Sequence, residues 1–261
     1  MKHTALITGA SSGIGRALLD CFAADGIDLV ITARDTAALD RAAAEVTRRY
    51  GVSVTVIPAD LSVPGAAHRL FEEIERRGLV IEYLVNNAGF GHYGFFHEAD
   101  AKKMDDMVQV NVAALVTLTR LFLPGMVARG HGRILQVASL AGFQPGPLMA
   151  VYFATKAFVI SFSEAIAEEL TGTGVTVTCL CPGPVRTQFA ARAEFNHSRI
   201  FQKSHIATAE EVAASGYRAF MRGTMLVIHG FNNKLLAVVG RFIPRRILLK
   251  LVRWMQEKRE P

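Results

Sequence analysis

Tyr152 and Lys156 stand four residues apart, and Ser139 precedes the tyrosine by thirteen. On a helix, positions i and i+4 share a face, so the Lys156 ammonium can lie beside the Tyr152 phenol. A free phenol has a pKa of about 10 and is a poor base near neutral pH. Neighbouring cations, Lys156 and the positive ring of a bound oxidised nicotinamide, favour the phenolate and lower that value. Such a phenol can protonate a developing alkoxide or take a proton from an alcohol, and the Ser139 hydroxyl can hold the oxygen concerned. A Tyr-x-x-x-Lys pair alone is ordinary helix surface. Its weight comes from what accompanies it.

The first companion is Thr8-Gly9-Ala10-Ser11-Ser12-Gly13-Ile14-Gly15, between an apolar run and a helical pattern. Glycines allow a tight turn and close approach of backbone N–H groups to a pyrophosphate, and the helix N-terminus adds partial positive charge. Gly9, Ser11, Ser12, Gly13, Ile14 and Gly15 are therefore candidate dinucleotide-binding residues. The second companion is Ile31-Thr32-Ala33-Arg34-Asp35. A site preferring NAD needs a carboxylate at the end of this strand for the ribose 2′-OH. Ala33 occupies that position and Arg34 follows. A guanidinium can pair with a 2′-phosphate, so NADP(H) is the expected cofactor. Asp35 reads as the N-cap of the next helix.

These residues need a scaffold, and the hydrophobic pattern describes one. Strands are expected at Thr4–Thr8, Asp28–Ala33, Val52–Ile57, Glu82–Val85, Arg133–Ala138 and Val175–Cys181, with a last short run at Met225–Ile228. Between them lie helical patterns at Ile14–Ala24, Thr36–Tyr50, about Gly65–Arg77, Ala101–Ala128, Val151–Leu170 and Ala209–Arg222. Such alternation predicts an α/β fold, a doubly wound parallel sheet of about seven strands with helices on both faces. Ligands bind at the carboxyl ends of such strands, and each candidate group follows a strand.

With these motifs in this order, residues 4–230 resemble the short-chain dehydrogenase/reductase family, whose glycine turn has the form T-G-x-x-x-G-x-G. The resemblance implies one Rossmann-type domain over 1–230, extended by 231–261. It implies that Asn86-Asn87-Ala88-Gly89 lines the adenosine side, with Asn87, Ala88 and Gly89 at the cofactor, and that Asp60-Leu61 contacts adenine. Asn111 is implied to support a water chain from Lys156 to solvent. The turn Pro182-Gly183-Pro184-Val185-Arg186-Thr187 is implied to reach the nicotinamide, with Pro182, Gly183, Val185 and Thr187 as contacts. Tyr152 and Lys156 are implied to touch the cofactor as well. Gln188–Ile206 corresponds to a substrate lid, and the helices Ala101–Ala128 and Val151–Leu170 resemble a dimer-forming pair, which implies a homodimer or homotetramer. Phe90, Tyr93, Phe95, Phe96, Phe143, Leu148, Phe189, Phe195 and Phe201 are candidates for an apolar pocket. The expected substrate is a small hydrophobic carbonyl compound or alcohol.

Composition limits the alternatives. The net charge of +6 is uneven: residues 241–261 carry seven Lys/Arg and two Glu, whereas 1–240 carry 22 Lys/Arg and 21 Asp/Glu. A nearly neutral body does not suggest nucleic-acid binding. Three cysteines are too few for a disulfide framework, no secretory leader is read at the N-terminus, and a cytoplasmic location is expected. Scattered His92, His97, His197 and His205 have no metal-ligand spacing. After Pro244, Leu248, Leu251, Val252 and Met255 share one helical face opposite Arg246, Lys250, Arg253 and Glu257, with Trp254 near the apolar edge. This basic amphipathic helix can pack on its own domain or a partner subunit, lie on an anionic membrane surface, or remain a free tail. Two further readings of the whole chain compete with the enzyme. One is a non-catalytic NADP(H)-binding regulator or scaffold, the other an interfacial lipid binder. The Ser139, Tyr152 and Lys156 set argues against the regulator, and the lipid binder would rely on the tail alone.

Overall fold

The computed structural model describes residues 3–187, 206–240 and 242–257. Seven strands form one parallel sheet: β1 (Thr4–Thr8), β2 (Asp28–Thr32), β3 (Val54–Val56), β4 (Tyr83–Asn86), β5 (Gly132–Val137), β6 (Val175–Cys181) and β9 (Leu226–Ile228). Their order is β3-β2-β1-β4-β5-β6-β9. A separate short parallel ladder joins β7 (Val185–Arg186) to β8 (Ala207–Thr208). The expected doubly wound α/β fold is therefore present. The order reverses between β1 and β4, which flank one another through Ile7 and Val85, and a crevice opens beyond their carboxyl ends.

Two apolar layers sandwich the sheet. On one face α1 (Gly13–Ala24), α2 (Thr36–Tyr50) and α7 (Ala209–Met221) bury Leu18, Phe22, Leu39 and Phe220. On the other, α3 (Ala66–Arg76), α5 (Leu115–Arg129) and α6 (Ala150–Glu169) bury Leu70, Ile74, Leu118, Phe122 and Ile166. Local chemistry sets the ends. Asp35 caps α2 by accepting from the Ala38 N–H at 2.9 Å, and Gly51 and Gly130 close α2 and α5 with φ of 69° and 70°, a conformation that favours glycine.

The expected single helix over Ala101–Ala128 is instead α4 (Ala101–Val108), a π-helical turn at Gln109–Ala114, and α5. Asn111 sits in that turn and explains it. Its side chain bonds the backbone of Phe90 in both directions, at 3.0 Å each way, which draws the widened turn toward the loop after β4. Two more helices follow the sheet: α8 (Phe231–Val239), which periodicity did not indicate, and α9 (Arg245–Gln256).

Candidate active site

The crevice is a cavity of about 720 Å³ running from the ends of β1 and β2 to α6. At one end Gly9 and Gly13 have φ of +66° and +57°. A Cβ on Gly9 would approach Asn87 Nδ2 to 2.8 Å, and one on Gly15 would run into the Gly9 carbonyl oxygen and Asn87. The glycines thus give the turn its handedness and let the loop after β4 lie against it. Thr8 ties the two together: its hydroxyl accepts from the N–H groups of Asn87 and Ala88 at 3.0 and 2.9 Å and donates to the Val85 carbonyl at 3.2 Å. Asn87 Nδ2 donates to the Thr8 carbonyl at 2.8 Å.

Gly9, Ser11, Ser12, Gly13, Ile14, Arg34, Asp60, Leu61, Asn87, Ala88 and Gly89 all line this half. Gly15 shapes it from behind. Arg34 is exposed at the rim. Burial opposes ionisation of Asp60, but hydrogen bonds from Ser62 and the nearby charge of Arg34 outweigh it and hold the carboxyl below its ordinary value.

The other half is built on α6. Tyr152 and Lys156 are both buried, at 9% and 5% exposure. The phenol hydrogen-bonds Ser139. Ser139 in turn caps the 3-10 turn Leu140–Phe143, its hydroxyl oxygen accepting from the Ala141 N–H at 3.1 Å. Lys156 Nζ donates to the Val137 carbonyl at 2.8 Å. Asn111 does not line the cavity. It stands behind Gly89, where a Cβ would come within 3.0 Å of Asn111 Oδ1 and 3.4 Å of Lys156 Nζ, and it donates to Thr155 Oγ1 at 3.1 Å. Pro182, Gly183, Val185 and Thr187 complete the wall. Asn233 of α8 packs closely against Gly183, where a Cβ would run into Asn233 Nδ2 and displace that amide.

The electrostatics differ from the expectation. Burial pushes the Tyr152 phenol up to about 12, against the opposing hydrogen bond to Ser139. Burial likewise pulls the Lys156 ammonium down to about 8. The anticipated lowering of the phenol by its neighbour is absent in the protein by itself. The ammonium lies 5.8 Å from the ring centroid and is bonded to a backbone carbonyl, while the cavity wall removes water from both groups.

Of the candidate pocket aromatics, Phe90 lines the cavity. Tyr93 packs beside the cluster that contains Tyr152, and Phe143 beside the one that contains Val159 and Ile160. Phe95 and Phe96 are exposed, and Leu148 is absent from the lining. Phe189, Phe195, Phe201, His197, His205 and nearly all of the Gln188–Ile206 segment lie outside the described residues. Sequence reasoning missed Gln144, Met149, Phe153 and Gln256, all of which line the cavity. It also left the direction of α9 open. In the structure Leu248 and Val252 of α9 join a buried cluster with Met107, Met149, Tyr152 and Phe153, so that face of the helix packs on its own chain. No cluster of three or more His, Cys, Asp or Glu suited to a metal occurs among the described residues.

A glycine-cradled crevice at a topological switch point, ending in a Ser–Tyr–Lys set, defines a nicotinamide-dependent oxidoreductase. The family model for short chain dehydrogenases matches residues 3–197. The chain belongs to that family. A very-long-chain 3-oxoacyl-CoA reductase from Anas platyrhynchos is 36% identical over 192 residues, 71% of this chain, which spans 61% of that relative's length. A short-chain dehydrogenase from Sphingobium yanoikuyae in complex with NADPH superposes with a TM-score of 0.82 at 32% identity, covering 98% of both chains. A family member from Burkholderia phymatum in complex with NAD also gives 0.82, at 26% identity, covering 100% of this chain and 97% of its own.

Proposed function

We propose that the protein is an NADP(H)-dependent carbonyl reductase or alcohol dehydrogenase acting on a small hydrophobic substrate. The observation that carries this reading is the Tyr152 phenol, bonded to Ser139 and one helical turn from Lys156, at the end of a cavity that begins at the glycine turn. The cradle fits a dinucleotide, because the positive-φ glycines Gly9 and Gly13 turn the backbone past the cavity at the N-terminus of α1, where N–H groups favour a pyrophosphate. When bound, the cofactor supplies or accepts hydride. Ser139 holds the substrate oxygen, and Tyr152 gives that oxygen its proton in reduction or removes it in oxidation. Lys156, held by the Val137 carbonyl, keeps a cation beside the phenol and reaches the ribose side. Asn111 positions the Phe90 loop and α6 through its bonds to Phe90 and Thr155.

Arg34 at the rim, Ser11 and Ser12 in the same lining, and Ala33 in place of a carboxylate after β2 support NADP(H) over NAD(H). Asp35 also lines the cavity, with its Oδ1 engaged in capping α2. Phe90, Met149 and Phe153 in the wall support an apolar substrate. Consumption of NADPH, compared with NADH, across a panel of hydrophobic ketones tests the reading. Absence of turnover on every ketone, with NADPH bound, would favour the regulator instead. The same reading takes the chain as a cytoplasmic homodimer or homotetramer, supported by Val108 and Phe158, exposed on α4 and α6. The outward side of α9 exposes Ile247, Leu251 and Trp254 beside exposed Arg246, Lys250 and Arg253, which supports peripheral contact with an anionic membrane. Serine at those three apolar positions should abolish pelleting with anionic liposomes, and equal pelleting would remove the membrane from the reading.

A further inference from the structure

Gln256 ends α9 on the same stripe as Leu248 and Val252, and it is 0% exposed. Leu248 and Val252 pack with Tyr152, Phe153 and Met149. A third residue at this spacing would ordinarily be apolar as well. Here it is a primary amide, and both Nε2 and Oε1 are buried with no hydrogen-bond partner among the described residues. A buried amide left unpaired is costly, and an aliphatic residue would satisfy the packing without that cost. Gln256 also lines the cavity, and the stripe it ends meets the catalytic helix, since Leu248 and Val252 pack with Tyr152 and Phe153. Gln144, just past the turn capped by Ser139, lines it too. Around them the wall is mainly hydrocarbon: Phe90, Ala141, Met149 and Phe153.

We propose that Gln256 is a substrate-specificity residue whose amide receives a second, neutral polar group on an otherwise apolar ketone or alcohol. The assignment rests on the cavity being the site of carbonyl reduction, and it narrows the substrate class. An amide presents one acceptor and two donor hydrogens. The group that satisfies it must both donate and accept, as a hydroxyl or a carboxamide does. A carboxylate or phosphate fits poorly, because among the described residues the other buried members of the stripe are the apolar Leu248 and Val252. A purely hydrocarbon ketone would leave the amide unpaired.

The test compares decalone, a set of ring-hydroxylated decalones and their methyl ethers, on the full-length wild type and on Gln256→Leu and Gln256→Met. Calorimetric affinity in the presence of NADP+ is read alongside kcat/KM. The wild type is expected to prefer at least one hydroxylated ketone over both the parent and the ether by tenfold or more, in binding and in kcat/KM. Both variants should erase that preference, leave the KM for NADPH in place, and raise Tm, since an unpaired buried amide has been removed. A wild type that discriminates against the hydroxyl, or a preference that survives both substitutions, overturns the proposal. So does a lowered Tm with uniformly weakened binding of all three ketones, which would mark a structural residue. If no ketone is turned over, the reductase reading fails, while the affinities still decide the role of Gln256.

Discussion

The two ends of the cavity are made on opposite principles. At the glycine turn the work is done by backbone and by missing side chains. Gly9 and Gly15 yield their space, Thr8 and Asn87 satisfy the loop's own polar groups, and the cation, Arg34, is exposed. At α6 the work is done by side chains placed where they are least comfortable. A phenol and an ammonium are buried and displaced from their ordinary pKa values in opposite directions, to about 12 and about 8. The first end is a mould that costs the fold little. The second holds two titratable groups in their neutral-favouring surroundings until a ligand changes those surroundings.

The contrast can be broken most sharply at Tyr152. Tyr152→Phe keeps the ring packing and removes the proton, so kcat should fall by about 10³-fold or more, with NADPH affinity measured by fluorescence retained. Residual turnover within tenfold of wild type would remove the phenol from the chemistry. At the other end, Arg34→Glu should lower the NADPH-to-NADH ratio of kcat/KM by about 10–100-fold, the equivalent of one charge-assisted hydrogen bond. A ratio that does not move would make Arg34 a solvated surface charge.

The cost of burial sharpens the comparison further. The fall of the Lys156 pKa from 10.5 to about 8 corresponds to about 3 kcal/mol. Because the folded value is the lower one, this group's stabilisation is present above pH 10.5 and is lost as the pH falls through about 8. At pH 7 the buried cation therefore opposes folding. Lys156→Met should abolish turnover yet raise Tm at pH 7 by about 5 °C, less whatever is lost with the bond to Val137. A lower Tm would show that this bond outweighs the desolvation. The smallest effect is an absence. In cofactor-free enzyme the Tyr152 phenol should not ionise below about pH 10, so difference absorbance between wild type and Tyr152→Phe should show no phenolate band there. Its raised pKa contributes stability that is complete below pH 10 and lost as the pH rises through about 12. A band already present near pH 8 would mean that Lys156 alone activates the phenol.

The glycine end was legible in the sequence because its signals are local. A β-branched run, glycines at fixed spacing and an Asp cap lie within the first 40 residues, and each acts on its immediate neighbours. The pairing of Tyr152 with Lys156 was legible for the same reason. What escaped depends on residues far apart in the chain. The π-helical turn exists because Asn111 bonds the loop at Phe90, twenty-one residues away. The pKa of Tyr152 follows from how completely α6 is covered. The periodicity of α9 revealed an apolar stripe but not what it would rest against, and a glutamine ending that stripe looks like a polar surface residue until Leu248 and Val252 are found beside the catalytic helix. Helix α8 has too weak a pattern to stand out, and its role becomes visible only where Asn233 meets Gly183.

Helix α9 touches the catalytic helix only after the sheet is complete, through side chains one turn apart. A segment that adds no strand to the sheet thus supplies apolar wall to the helix that carries the proton donor. Trimming Leu248 or Val252 should loosen the packing around Tyr152 and Phe153 while leaving the glycine turn as it is.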